Sequence, residues 1–159
     1  MQPIMPSEDD AGFFGDEDPR VAYNRMWFNI MRVHRKFYPR ITKALKAEGI
    51  NDPVWYEILL DIERGGPEGR LMGTLEERLF VPQYALSRHI SRMEAAGLLR
   101  REYIADGRRK QILFLTRKGA GLHQRIWPVY DQLIKDELEH FMSTDEAYAI
   151  ARNLIRLLP

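Results

Sequence analysis

The stretch from Thr74 to Thr116 constrains the fold more than any other part of this 159-residue chain. Thr74 followed three residues later by Glu77 has the form of a capping box, so the pattern predicts a helix beginning there with Leu75 and Leu79 turned inward. Val81-Pro82 interrupts it. A second helix follows, in which Leu86, Ile90 and Met93 at spacings of four and three form one apolar stripe. Gly97 stands where a left-handed C-terminal cap belongs. Gln83, Tyr84, Ser87, Arg88 and Ser91 fall on the opposite face, and all of them carry groups able to donate or accept hydrogen bonds. A short helix turning into a second helix with a polar outer face is the helix-turn-helix arrangement.

Beyond it, Leu99 to Ile104 and Gln111 to Leu115 are rich in β-branched, aromatic and leucine residues, the composition of strands. Asp106 and Gly107 supply the turn between them, and Arg108, Arg109 and Lys110 put three consecutive cations at its tip. From Arg88 to Lys118 nine Lys or Arg stand against Glu94, Glu102 and Asp106, a net +6 in a chain whose total is +1. A patch of that charge suits a polyphosphate partner. The pattern predicts a winged helix that binds DNA, with Gln83, Tyr84, Ser87, Arg88 and Ser91 on the reading helix and Arg108 and Arg109 entering a groove from the wing.

The run from Leu75 to Gly119 resembles the MarR (multiple antibiotic resistance regulator) family of bacterial repressors. The matching residues are Leu75 and Leu79, then Val81 through Leu86-Ser87-Arg88, Met93-Glu94 and Gly97-Leu98-Leu99. Asp106-x-Arg108 in the wing and Leu115-Thr116-x-x-Gly119 at its exit complete the set. Two positions depart from the pattern and bear on the turn between the helices: Glu76 stands where Ala is common, and Phe80 where Gly is common. The resemblance implies a symmetric homodimer held by N- and C-terminal helices, on a pseudo-palindromic double-stranded DNA operator. It also implies that Asp106 orients Arg108 through a salt bridge. A further implication is a small aromatic or lipophilic effector bound between the dimer helices and the DNA-binding lobe.

The rest of the chain reads as mostly α. Residues 1–17 are acidic and Gly-rich without a cation, the composition of a mobile tail. Asp18-Pro19 and Asp52-Pro53 pair a capping side chain with proline at the first helical position. The first helix carries Trp27, Ile30, His34, Phe37 or Tyr38, Ile41 and Leu45 along one side, with Pro39 expected to kink or break it near Tyr38. The second buries Trp55, Ile58, Leu59 and Ile62 and closes at Gly65-Gly66. Arg70-Leu71-Met72 is a candidate third strand beside the wing. Thr116 caps a long helix holding Leu122, Ile126, Val129, Leu133, Ile134 and Leu138, with a bend expected at Pro128. Ser143-x-x-Glu146 opens a last helix with Tyr148, Ala151, Leu154, Ile155 and Leu158.

These signals predict one winged-helix domain over 18–159, with a DNA-binding lobe at about 52–116 and dimerisation helices at about 18–48 and 117–158. The apolar positions on the terminal helices exceed what one small winged helix covers, which points to pairing with a second copy. With no cysteine, disulfides and thiolate metal sites are excluded. No signal peptide or membrane-length apolar run is visible, so a cytoplasmic protein is expected.

His34, His89, His123 and His140 lack the close spacings of a zinc site, and no Ser-His-Asp set or nucleotide fingerprint occurs; no metal, cofactor or catalytic role is expected. Trp27, His34, Phe37, Tyr38, Trp55 and Tyr56 cluster on the first two helices. Most such residues form core or dimer surface, but an apolar pocket with a few polar groups is also how effectors bind. Trp27, His34, Tyr38, Trp55 and Tyr56 are therefore the candidate effector residues. Two rivals to a DNA-binding regulator stay open: a winged helix docking its basic wing on an acidic protein partner, and an enzyme with a helical cofactor site.

Overall fold

The proline-led start signals act as their chemistry requires. In the computed structural model, which describes residues 18–105 and 109–159, Asp18 caps a single 3-10 turn, Pro19–Val21, by accepting from the Arg20 backbone N–H. Helix α1, Ala22–Ala47, follows directly. Asp52 caps α2, Pro53–Arg64, by accepting from the Val54 N–H at 3.0 Å. Pro39 does not break α1: the helix runs on for two further turns, and the Thr42 hydroxyl donates to the Tyr38 carbonyl at 2.8 Å in that stretch. Helix α2 buries Val54, Trp55, Ile58, Leu59 and Ile62 and ends at Gly65.

Strand β1 is only Arg70–Leu71. The helix after it, α3, spans Met72–Leu79, so it starts two residues before the predicted Thr74, and no side chain caps it. The Thr74–Glu77 capping box is therefore not used. The physical reason is tertiary: Arg70 and Leu71 pair with Leu113 and Ile112 of the wing, and the chain turns helical as soon as that pairing ends. Asp61, buried in α2, ties this corner together, with Arg78 at 2.6 Å and Arg70 at 3.2 Å from its carboxylate.

Helix α4, Gln83–Ala95, buries Leu86, Ile90 and Met93, the expected stripe. It ends in a Schellman motif: Gly97 at φ +75° donates to the Glu94 carbonyl, and Leu98 donates to Met93. Strands β2, Leu99–Ala105, and β3, Arg109–Leu115, pair antiparallel from Leu99↔Leu115 to Ala105↔Arg109. The sheet order is β1-β3-β2. Helix α5, Arg117–Leu138, continues through Pro128, and its start is capped by the Thr116 hydroxyl, which accepts from Gly119 at 3.0 Å. Ser143 and Glu146 form the expected reciprocal capping box of α6, Thr144–Ile155.

One continuous core joins α2, α3, α4, the sheet and the middle of α5 through Ile58, Leu59, Leu75, Leu86, Ile90, Leu113 and Ile126, all fully or almost fully buried. The terminal helices are different. Tyr23, Trp27 and Phe28 on α1, Trp127 on α5, and Tyr148, Ile150 and Ile155 on α6 stay exposed in the protomer. None of the described helices is long and apolar enough to cross a membrane.

Candidate nucleic-acid interface and adjoining cavity

The outer face of α4 is built by subtraction. Its stripe of Leu86, Ile90 and Met93 is consumed by the core, which leaves Gln83, Tyr84, Ser87, Arg88 and Ser91 exposed. Pro82 at the N-cap offers no side-chain hydrogen bond, so the first amides of the helix lack an internal acceptor. The two ends of the reading helix differ. Gln83, Tyr84, Ser87 and Arg88 make no hydrogen bond to another described side chain, whereas the Ser91 hydroxyl accepts from the Arg101 guanidinium at 2.8 Å.

Arg101 was not singled out by sequence, because one arginine in a basic strand carries no distinguishing signal. The fold makes it a hub. Its side chain is largely buried, donates to Gln111 on β3 at 3.1 Å and lies 3.4 Å from the Glu94 carboxylate on α4. It thus bolts the wing to the reading helix. Two other cations of the patch are likewise occupied. The Lys118 ammonium donates to the Ala96 carbonyl at 2.8 Å, at the C-terminal end of α4. Arg100 lies over the Phe114 ring at 4.2 Å and pairs with Glu102. Asp106 and Arg108 lie outside the described residues. Arg109 opens β3 opposite Ala105, and its side chain is likewise outside them.

The five candidate effector residues separate. His34 and Tyr38 stack at 4.7 Å and line a cavity of about 340 Å³ between α1, α2 and α5, together with Phe37, Ile41, Pro53, Glu57, Tyr130, Ile134 and Glu137. Trp27 lies exposed farther up α1 and is not among the lining residues. Trp55 points into the lobe core, where its indole N–H donates to His89 Nδ1 on α4 at 3.2 Å. Tyr56 is buried against α5, stacked on His123 and edge-on to Tyr130 at 5.0 Å.

The cavity wall is electrostatically unusual for its apolar surroundings. The Tyr38 hydroxyl donates to Asp52 at 3.1 Å, the same carboxylate that caps α2. Burial together with the Asp52 charge pushes the Tyr38 phenol up to about 12. Burial, and then the charge of Asp52, also raises the Glu57 carboxyl above its ordinary value. Tyr130 is raised by burial and by Glu57. Glu57 and Tyr130 are lining residues that sequence reasoning missed: Glu57 is solvent-exposed, and that it also borders the cavity follows only from the packing of α1 and α5 beside it.

The geometry defines a winged helix-turn-helix protein. The family model for the MarR family matches residues 48–110, the segment that holds helix α4 and most of the wing. Comparison with curated proteins gives no match. Solved structures share the fold. The transcriptional regulator BldR from Sulfolobus solfataricus superposes with a TM-score of 0.77 at 22% identity, over 89% of this chain and 99% of that one. The MarR family regulator Sco3205 from Streptomyces coelicolor, solved in complex with DNA, gives 0.75 at 17% identity over 89% and 91%. The organohalide-sensing regulator RdhR-CbdbA1625, in its 2,4-dichlorophenol-bound form, gives 0.69 at 19% identity over 99% and 88%.

Proposed function

We propose that this chain is a homodimeric, sequence-specific DNA-binding transcription regulator, acting as a repressor and not as an enzyme. The observation that carries the reading is the pairing of an exposed polar face on α4 with a basic wing that Arg101 fixes to it. Helix α4 enters the major groove, where Gln83, Tyr84, Ser87 and Arg88 meet base edges and the uncapped N-terminus meets phosphate. Arg108 and Arg109 follow the flanking groove, with Asp106 orienting Arg108. The exposed apolar faces of α1, α5 and α6 make the twofold contact, which sets the spacing of half-sites on a pseudo-palindromic operator. The DNA complex of Sco3205 supports the use of this fold on a duplex.

Control by a small aromatic or lipophilic effector belongs to the same reading. Helix α2 places Pro53 and Glu57 in the cavity wall and Trp55 against His89 on the reading helix. A ligand acts here only through its difference in affinity between DNA-competent and released forms.

The test is selection of bound sequences from a random DNA pool, followed by affinities of Arg88→Ala and Arg108→Ala across a salt series. Arg88→Ala is expected to cost about 1–3 kcal/mol and relax preference at one position per half-site. Arg108→Ala is expected to weaken all sequences evenly and flatten the salt slope by about one unit per wing. A chain that selects no sequence and whose affinity ignores salt is not a DNA-binding regulator.

A further inference from the structure

The chemistry of the cavity between α1, α2 and α5 selects its ligand by charge. Its walls are apolar and aromatic: Phe37, Ile41, Tyr38, Tyr130 and Ile134. No Lys or Arg lines it, whereas Glu57 and Glu137 do. The two acids are not equivalent. Glu137 is neutralised by Arg40 at 2.6 Å. Glu57 has no ion-pair or hydrogen-bond partner among the described residues, and the next charged group, Asp52, has the same sign. An anionic aromatic ligand would bring a third negative charge to a cavity at whose solvent-exposed rim Glu57 stands. A cation would supply the missing counter-ion and meet the faces of Tyr38 and Tyr130, which attract positive charge through their ring quadrupoles.

We infer that the cavity binds a lipophilic cation, an amine carried on an aromatic or aliphatic body, with Glu57 as its counter-ion and Tyr38, Phe37 and Tyr130 enclosing the body. The cavity's volume, about 340 Å³, admits a ligand of one ring and a short chain. Burial and the like charge of Asp52, which raise the Glu57 carboxyl, are both relieved by a cation placed beside it. The inference deepens the regulatory reading by naming the ligand class, but the binding step stands apart from DNA and is measured without it.

The experiment is calorimetric titration of the full chain with a matched pair, phenylbutylamine and phenylbutyrate, at neutral pH. The amine is expected to bind about tenfold more tightly than the carboxylate, the order of one partly desolvated ion pair. Glu57→Gln removes the difference while keeping or raising the thermal midpoint, because it deletes a charge that has no partner. Glu57→Lys reverses the preference. Equal binding of the pair, tighter binding of the carboxylate, binding of neither probe, or an amine preference that survives in Glu57→Gln overturns the inference. An amine that binds with this Glu57 dependence and leaves operator affinity unchanged supports the site and dismisses its role as a DNA-release switch.

Discussion

Phe80 offers a clean measurement of backbone strain at the turn between α3 and α4. It is the only non-glycine among the described residues with positive φ, at +55°, and its amide donates to the Glu76 carbonyl as the left-handed cap of α3. For an L-residue this conformation costs roughly 1–2 kcal/mol, which glycine escapes. The side chain is 63% exposed, so little burial offsets that cost. Comparing Phe80→Ala with Phe80→Gly isolates the strain, since both remove the ring and only one removes Cβ. At an ordinary helical position glycine is less stable than alanine by roughly 0.5–1 kcal/mol. Here the order is expected to invert, with the Gly variant more stable than the Ala variant by about 1 kcal/mol. Urea unfolding at one fixed protein concentration reads this directly, and the slope checks that the same surface is exposed. An Ala variant as stable as the Gly variant would refute the left-handed turn, and with it the explanation of why a glycine is common at this position in the family that the sequence resembles.

Gly119 makes a second backbone test. A Cβ there would lie 1.9 Å from the Leu98 carbonyl oxygen, so Gly119→Ala is expected to destabilise by at least about 1–3 kcal/mol, as overpacking against backbone does. Gly121, two residues further along the same helix and on its other side, with open space around it, serves as the control: Gly121→Ala should gain roughly 0.5–1 kcal/mol in the same unfolding assay. The Tyr38–Asp52 contact predicts an alkaline limb. Because the folded-state phenol is raised from 10.0 to about 12, its contribution is fully present below the ordinary value and lost as pH rises through about 12. Ultraviolet titration should show one tyrosine ionising near that upper value, and that component should vanish in Tyr38→Phe.

What the sequence revealed was mostly local. Asp52-Pro53, Thr116 and Ser143-x-x-Glu146 announce helix starts because the capping groups lie within three residues of the amides that they bind. Thr74–Glu77 has the same local form and goes unused, since the pairing of Leu71 with Ile112, more than forty positions away by roughly the length of one lobe, sets the start of α3 instead. Trp55 and Glu57 fail for a related reason. Periodicity shows that α2 has an apolar face, but not that the indole turns toward His89 while the glutamate two residues on turns toward α5. The polar face of α4 was legible because burying its stripe leaves only one arrangement for the rest. Which of the basic residues serve structure, as Arg101 and Lys118 do, was not, since a charge reveals its partner only when distant strands and helices are brought together.

The two-residue strand β1 has a mechanical consequence out of proportion to its size. By pairing with β3 it fastens the entrance of α3 to the wing, and Arg101 fastens the wing to the exit of α4. The reading helix and the base of the hairpin are thereby tied together at two points, like the jaws of a locked calliper. In the proposed dimer, a change in phasing between half-sites would then be met by turning whole lobes on the long helices outside them, rather than by parting helix α4 from the wing.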